Sequence, residues 1–148
     1  MKTHIKPLGP TLGPLRWAIS NPIKARLKQK GINLPFDQLI VLKMLRLATC
    51  EVVQQDVAEQ LGKDKSVIMR MVDALEKDDF LKRIVDCNDR RRNQLTLTEL
   101  GNKLMDQYDE IEMEISMELL EGLSDSDIDT FYKVIDHMKV QGEKLNRQ

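Results

Sequence analysis

Apolar positions recur with a helical period over most of the chain and switch to strand-like runs only past its middle. A first helix is predicted from about Leu15 to Gly31. Before it, Pro7, Pro10 and Pro14 with Gly9 and Gly13 read as an extended arm over residues 1–14. Inside the helix, Ser20-Asn21-Pro22 is a cap followed by a proline, a place for it to restart or kink. Leu34-Pro35-Phe36-Asp37-Gln38 opens a second helix, in which Leu39, Leu42, Met44 and Leu45 recur and Thr49-Cys50-Glu51 make the break. Gln54 to Leu61 reads as a short helix closed by Gly62. A longer one runs from Asp64, as N-cap, to about Lys77, with Ile68, Met71, Val72 and Leu75 at i, i+3, i+4 and i+7.

Residues 80–85 and 94–97 are strand candidates, close enough to pair as a hairpin around the tip Asp86-Cys87-Asn88-Asp89-Arg90-Arg91-Arg92. Thr98 then caps a long helix with a stripe of Leu100, Leu104, Tyr108, Ile111, Ile115 and Leu119, ended by Gly122. Ser124-Asp125-Ser126-Asp127 is a capping box for a last helix carrying Ile128, Phe131, Ile135 and Met138. Between Val52 and Gly101 the order is helix, Gly turn, helix, basic hairpin, which is that of a helix-turn-helix with a wing. A cationic hairpin beside two such helices suits duplex DNA better than a small substrate.

Composition sharpens this reading through its unevenness. With 148 residues, 32% charged and 41% hydrophobic, the chain has material for one folded domain. No run approaches the roughly 18 apolar residues of a membrane helix, and the start lacks an apolar leader, so a cytoplasmic protein with no membrane partner is expected. Cys50 and Cys87 have no C-x-x-C spacing and read as free thiols. The net charge of -1 conceals two opposite regions. Residues 1–46 hold nine Lys or Arg against Asp37, a net of +8, whereas residues 98–136 hold twelve acids against Lys103 and Lys133, a net of -10. Such a chain can offer its basic part to phosphate and turn the acidic part away.

On a helical wheel anchored by Ile68, the side chains of Ser66, Met69, Arg70 and Asp73 point away from the core, with Lys65 and Val67 at the flanks. This face would enter a major groove: Arg70 can bond guanine or phosphate, Ser66 base or phosphate, and Val67 or Met69 can pack on a thymine methyl. At the tip, Arg90, Arg91 and Arg92 point to both sides of the hairpin, and Asp89 is placed to orient Arg91, the kind of arginine a narrow minor groove attracts. Gln54, Gln55 and Arg83 complete the DNA-facing candidates. A solvated helix face and a surface Arg–Asp pair are the plain alternatives. No H-E-x-x-H, G-x-x-x-x-G-K, dinucleotide glycine fingerprint or G-x-S-x-G is present, so neither catalysis nor a cofactor is expected. His4 and His137 are the only histidines, and no metal site is read. Single-stranded nucleic acid fits poorly, because Phe80 is the sole aromatic between Phe36 and Tyr108. The rival function is a winged-helix module whose wing and acidic long helix bind a protein partner.

From Gly31 to about Met138 the chain resembles the multiple-antibiotic-resistance regulator (MarR) family. The resemblance is carried by Gly31 to Gln38, by Ser66 to Glu76, and most specifically by Asp89-Arg90-Arg91 followed by Leu97-Thr98-Glu99-Leu100-Gly101. It implies a mainly α winged helix-turn-helix with a β-hairpin wing. Residues 1–34 would be the arm and a dimerisation helix, 35–97 the DNA-binding part and 98–148 the C-terminal dimerisation helices. It also implies a homodimer on a pseudo-palindromic double-stranded operator, acting as a ligand-responsive repressor. The helix after Asp64 would read the major groove and Arg91, steadied by Asp89, the minor groove. The implied signal is a small, often phenolic, effector in the cleft between dimer and DNA-binding parts, or oxidation of a cysteine. Met105, Met113 and Met117 read either as lining for such a pocket or as core and interface filler. The chain departs from the family pattern at Val67 and Met69, where threonines are usual, at Asp79, where a glycine usually ends the helix in a left-handed conformation, and at Pro22.

Overall fold

The computed structural model describes residues 5–85 and 93–147. Among these, six helices and three short strands follow one another: α1 (Leu8–Gln29), α2 (Phe36–Leu47), β1 (Val52–Val53), α3 (Gln54–Leu61), α4 (Lys65–Lys77), β2 (Leu81–Val85), β3 (Asn93–Leu97), α5 (Glu99–Leu120) and α6 (Asp125–Asn146). They form two compact units, residues 1–113 and 114–148, divided within α5.

The extended arm is corrected: α1 begins at Leu8. Pro10 sits in its first turn, where a backbone N–H has no helical partner to lose, and the Thr11 hydroxyl donates to the Pro7 carbonyl at 3.0 Å. Pro14 and Pro22 both lie inside one unbroken helical element, so no restart occurs at Ser20-Asn21-Pro22. Burial of Ser20, Ile23 and Leu27 on one side of α1 holds the helix through Pro22.

Three helices stop by the same device. After α1, α3 and α4 the chain turns left-handed at Gly31 (φ 81°), Gly62 (φ 60°) and Asp79 (φ 60°). In each case the next amide bonds back over a full turn: Ile32 to the Leu27 carbonyl at 2.9 Å, Lys63 to Ala58 at 3.1 Å, Phe80 to Leu75 at 2.9 Å. Asp79 thus adopts a left-handed conformation that favours glycine. At the start of α4, Asp64 takes the N-cap position and its carbonyl accepts from Ile68 at 3.1 Å, but its side chain makes no cap bond, contrary to expectation.

β1 was not foreseen, being two residues long and without any periodicity. The three strands form an antiparallel sheet in the order β1-β3-β2, with Val52 opposite Leu95 and Leu81 opposite Leu97. Where β2, β3 and α5 meet, the Thr98 amide donates to the Phe80 carbonyl at 3.2 Å, and the Thr98 hydroxyl accepts from the Gly101 amide at 3.0 Å, capping α5 as expected. Gly101 passes so close to this corner that an added Cβ would lie 1.9 Å from the Phe80 oxygen. Only glycine fits there.

The core of the first unit is built from Ile23 and Leu27 of α1, Leu39, Val41 and Leu42 of α2, Ile68, Val72 and Leu75 of α4, Leu81 and Leu95 of the sheet, and Leu104, Met105 and Tyr108 of α5. Ion pairs join α2 to α5: Lys43 to Asp109 and to Glu112 (2.9 Å), and Arg46 to Asp106 (2.5 Å). The predicted α5 stripe is buried at Leu104, Tyr108, Ile111 and Ile115, whereas its end positions, Leu100 and Leu119, are exposed. In the second unit, Ser124 caps α6, accepting from the Asp127 amide at 3.2 Å. No residue of α6 is buried.

Candidate nucleic-acid interface

The burial of Ile68, Val72 and Leu75 fixes which side of α4 is left outside. Lys65, Ser66, Met69, Arg70 and Asp73 are exposed together, and Val67 is half-buried at the flank. Met69 keeps half its surface, 50%, in solvent. Arg70 donates from Nε to the Ser66 carbonyl of its own helix at 3.3 Å, a long bond that is readily exchanged for a better acceptor. Neither Lys65 nor Arg70 forms an ion pair among the described residues. One exposed edge of α4 thus carries two free cations, a hydroxyl and two apolar tips, which is a sufficient set of groups for reading base edges and holding phosphate.

Arg83 and the two glutamines are differently placed. The Arg83 side chain on β2 is 18% exposed, and its guanidinium donates to Glu76, to Asp73 at 2.5 Å and to Gln54 at 3.3 Å. The Arg83 backbone amide adds a bond to the other Glu76 oxygen at 3.0 Å. These contacts tie the wing strand to α4 and α3. They also neutralise Asp73, the one acid on the outward face, which would otherwise repel a phosphate backbone. Gln55 donates to Glu59 at 2.6 Å along the exposed side of α3. Sequence reasoning counted Arg83 among the DNA-facing residues and missed its partners, because an ion pair between a helix and a strand leaves no local pattern. Asp89, Arg90, Arg91, Arg92 and Cys87 lie outside the described residues.

A cleft of about 610 Å³ opens on another side of the first unit, between α2, the loop after it, α3 and α5. Ile40, Met44, Leu47 and Val52 supply its apolar wall, and Lys43, Glu51, Asp56 and Glu112 its charges. Cys50, exposed, stands on its rim. Burial works against the charged form of Lys43, but hydrogen bonds to Asp109 and Glu112 and their charges outweigh it, so Lys43 titrates above its ordinary value. The Tyr108 phenol is also pushed up, first by burial and then by the neighbouring Glu112 and Asp109 charges; it donates to Glu112 at 3.3 Å. Lys43 lies 5.3 Å from the centre of the Tyr108 ring. None of Met105, Met113 and Met117 lines this cleft: Met105 is in the core, and the other two are exposed.

The arrangement of a short helix, a left-handed turn, a helix with a free polar edge and an antiparallel strand pair extends to the sequence level. The profile of the MarR family matches residues 38–93, from α2 to the start of β3. Over this segment the chain is similar to the MarR family. Solved MarR-family structures superpose on nearly the whole chain. A MarR transcriptional regulator from Methanosarcina mazei is 23% identical and covers 93% of this chain and 97% of its own, with a TM-score of 0.78. The apo form of MarR from E. coli is 21% identical, covers 91% and 98%, and has a TM-score of 0.75. A mutant of MepR from S. aureus bound to an oligodeoxyribonucleotide is 21% identical and covers 93% and 99%, with a TM-score of 0.62. At these identities the likeness establishes the MarR fold, a winged helix-turn-helix flanked by further helices, while the side chains on α4 are this chain's own.

Proposed function

We propose that this MarR-family protein is a sequence-specific double-stranded DNA-binding regulator of transcription that acts as a homodimer on a pseudo-palindromic operator. The observation that carries this reading is the free edge of α4, where Lys65, Ser66, Met69 and Arg70 are exposed together while the opposite stripe is buried. Arg90, Arg91 and Arg92, with Asp89 as the orienting acid, supply the cationic wing of the same reading. Two-fold symmetry supports half-sites about one helical turn, roughly 34 Å, apart. A second copy of the chain is the partner that fits the exposed apolar residues of α1 (Leu8, Leu12, Leu15 and Trp17, the last 63% exposed) and, in the other unit, of α6. Selection of bound sequences from a random duplex library tests the reading. An enriched inverted repeat is expected; a folded dimer that enriches nothing would favour a protein partner for the wing instead. Against the selected site, Arg91→Ala should weaken binding with a salt slope smaller by about 0.9. Arg70→Ala or Met69→Ala should change which bases are preferred.

The effector would enter the α2–α5 cleft. Its lining carries the carboxylates of Glu51, Asp56 and Glu112, and Lys43 is already engaged by two acids, so a neutral phenol suits it better than a phenolate. The affinity of 4-nitrophenol, followed by fluorescence or calorimetry, should therefore fall as the pH is raised through the ionisation of the probe. A rise would reverse the assignment.

A further inference from the structure

We propose that Arg83 is a positioning residue for DNA binding, which sets the wing strand against the reading helix through Glu76, Asp73 and Gln54 and makes no phosphate contact itself. The proposal rests on the DNA-binding reading and assigns a role within it. Its basis is the completeness of the arginine's partners. All three guanidinium nitrogens donate: Nε to Gln54 at 3.3 Å, one terminal nitrogen to Glu76 and the other to Asp73 at 2.5 Å. The side chain is largely covered, and its own backbone amide is held by the second oxygen of Glu76 at 3.0 Å. The two N–H groups left over sit on terminal nitrogens already bound to carboxylates, in a side chain that is only 18% exposed.

What this clamp fixes follows from where it sits. Arg83 is the middle residue of β2, opposite Leu95 of β3, and residues 86–92 with their three arginines continue from the end of the same strand. Asp73 and Glu76 lie one turn apart on α4, beyond Met69 and Arg70. The fork of one guanidinium therefore joins the strand that leads to the basic segment with the helix that carries the reading face. A lysine has the same charge but a single point of attachment, and cannot hold three acceptors in one plane.

The consequence has an unusual sign. Removing an acid from a DNA-facing helix should strengthen binding if charge acted only through its long-range field. If Asp73 and Glu76 serve to hold Arg83, their neutralisation should weaken it. Operator duplex obtained from the random library, titrated by fluorescence anisotropy at two salt concentrations, decides between the two. Asp73→Asn should bind about 3- to 10-fold more weakly than the wild type. Arg83→Lys should lose about 10-fold despite its conserved charge, and its loss combined with Glu76→Gln should be less than the product of the separate losses. Asp73 is exposed, so Asp73→Asn keeps the test available should Glu76→Gln fail to fold. Tighter or unchanged binding by Asp73→Asn, or wild-type affinity in Arg83→Lys, overturns the proposal. A wild-type protein that binds no duplex at all would instead overturn the DNA-binding reading beneath it.

Discussion

Helices α4 and α6 both carry apolar residues at helical spacing, yet they have opposite fates. In α4 the stripe of Ile68, Val72 and Leu75 is fully buried within its own unit, and the residues that remain exposed are polar or charged apart from Met69. In α6 nothing is buried: Ile128, Ile135 and Met138 are half-covered, and Phe131, Tyr132, Val134 and Val140 are exposed, with the Phe131 and Tyr132 rings meeting edge-on at 5.4 Å. An amphipathic helix gains most of its stability by packing its apolar face. The stripe of α4 has found its packing within one chain, while that of α6 is left uncovered in this chain. The pattern of apolar residues alone does not distinguish a core stripe from an interface stripe; the number of elements available to cover it does.

The difference should be visible in how stability depends on protein concentration. Ile68→Ala should have the largest effect, about 2 to 5 kcal/mol by urea unfolding, the same at every concentration, because it opens a cavity inside one chain. Gly101→Ala should cost about 3 kcal/mol, again without concentration dependence, since the new methyl group meets the Phe80 carbonyl and the corner that anchors the end of α4 must shift. Phe131→Asp in α6 should behave otherwise. Sedimentation should show a dimer dissociating at roughly 30-fold higher concentration, equivalent to about 2 kcal/mol, with little change in the unfolding of the dilute monomer. A concentration-independent loss of stability in Phe131→Asp would show that α6 is covered within its own chain and would dissolve the contrast. The smallest effect is a gain: Asp79→Gly should stabilise by up to about 1 kcal/mol, because the left-handed backbone there strains any residue with a Cβ.

Much of this fold is legible in the residues. The second to fourth helices, the hairpin strands and the capped long helix announce themselves by period, glycine stops and caps, and the left-handed turn at Asp79 is one that the family resemblance implies. The misses have physical causes. Three prolines near the start argue against a helix locally, but the first turn tolerates one of them, and burial of Ile23 and Leu27 sustains the rest of α1. β1 has no pattern because two residues cannot alternate. On the candidate interface, the outward edge of α4 could be drawn from a helical wheel, since the wheel depends only on which side is buried. The engagement of Arg83 could not, because its partners are seven to twenty-nine positions away in the chain. Only the folded geometry tells a free arginine from an occupied one.

The two residues of β1 also bear on the order in which the protein can be completed. Val52 pairs with Leu95, about forty residues later, and the segment between them contains α3, α4 and β2. Closing a loop of that size loses chain entropy before its contacts can offset it. During synthesis, α3 and α4 can form as each emerges, but the sheet that frames them has to wait for β3. A chain stalled before Leu95 would display the outward edge of α4 without its frame.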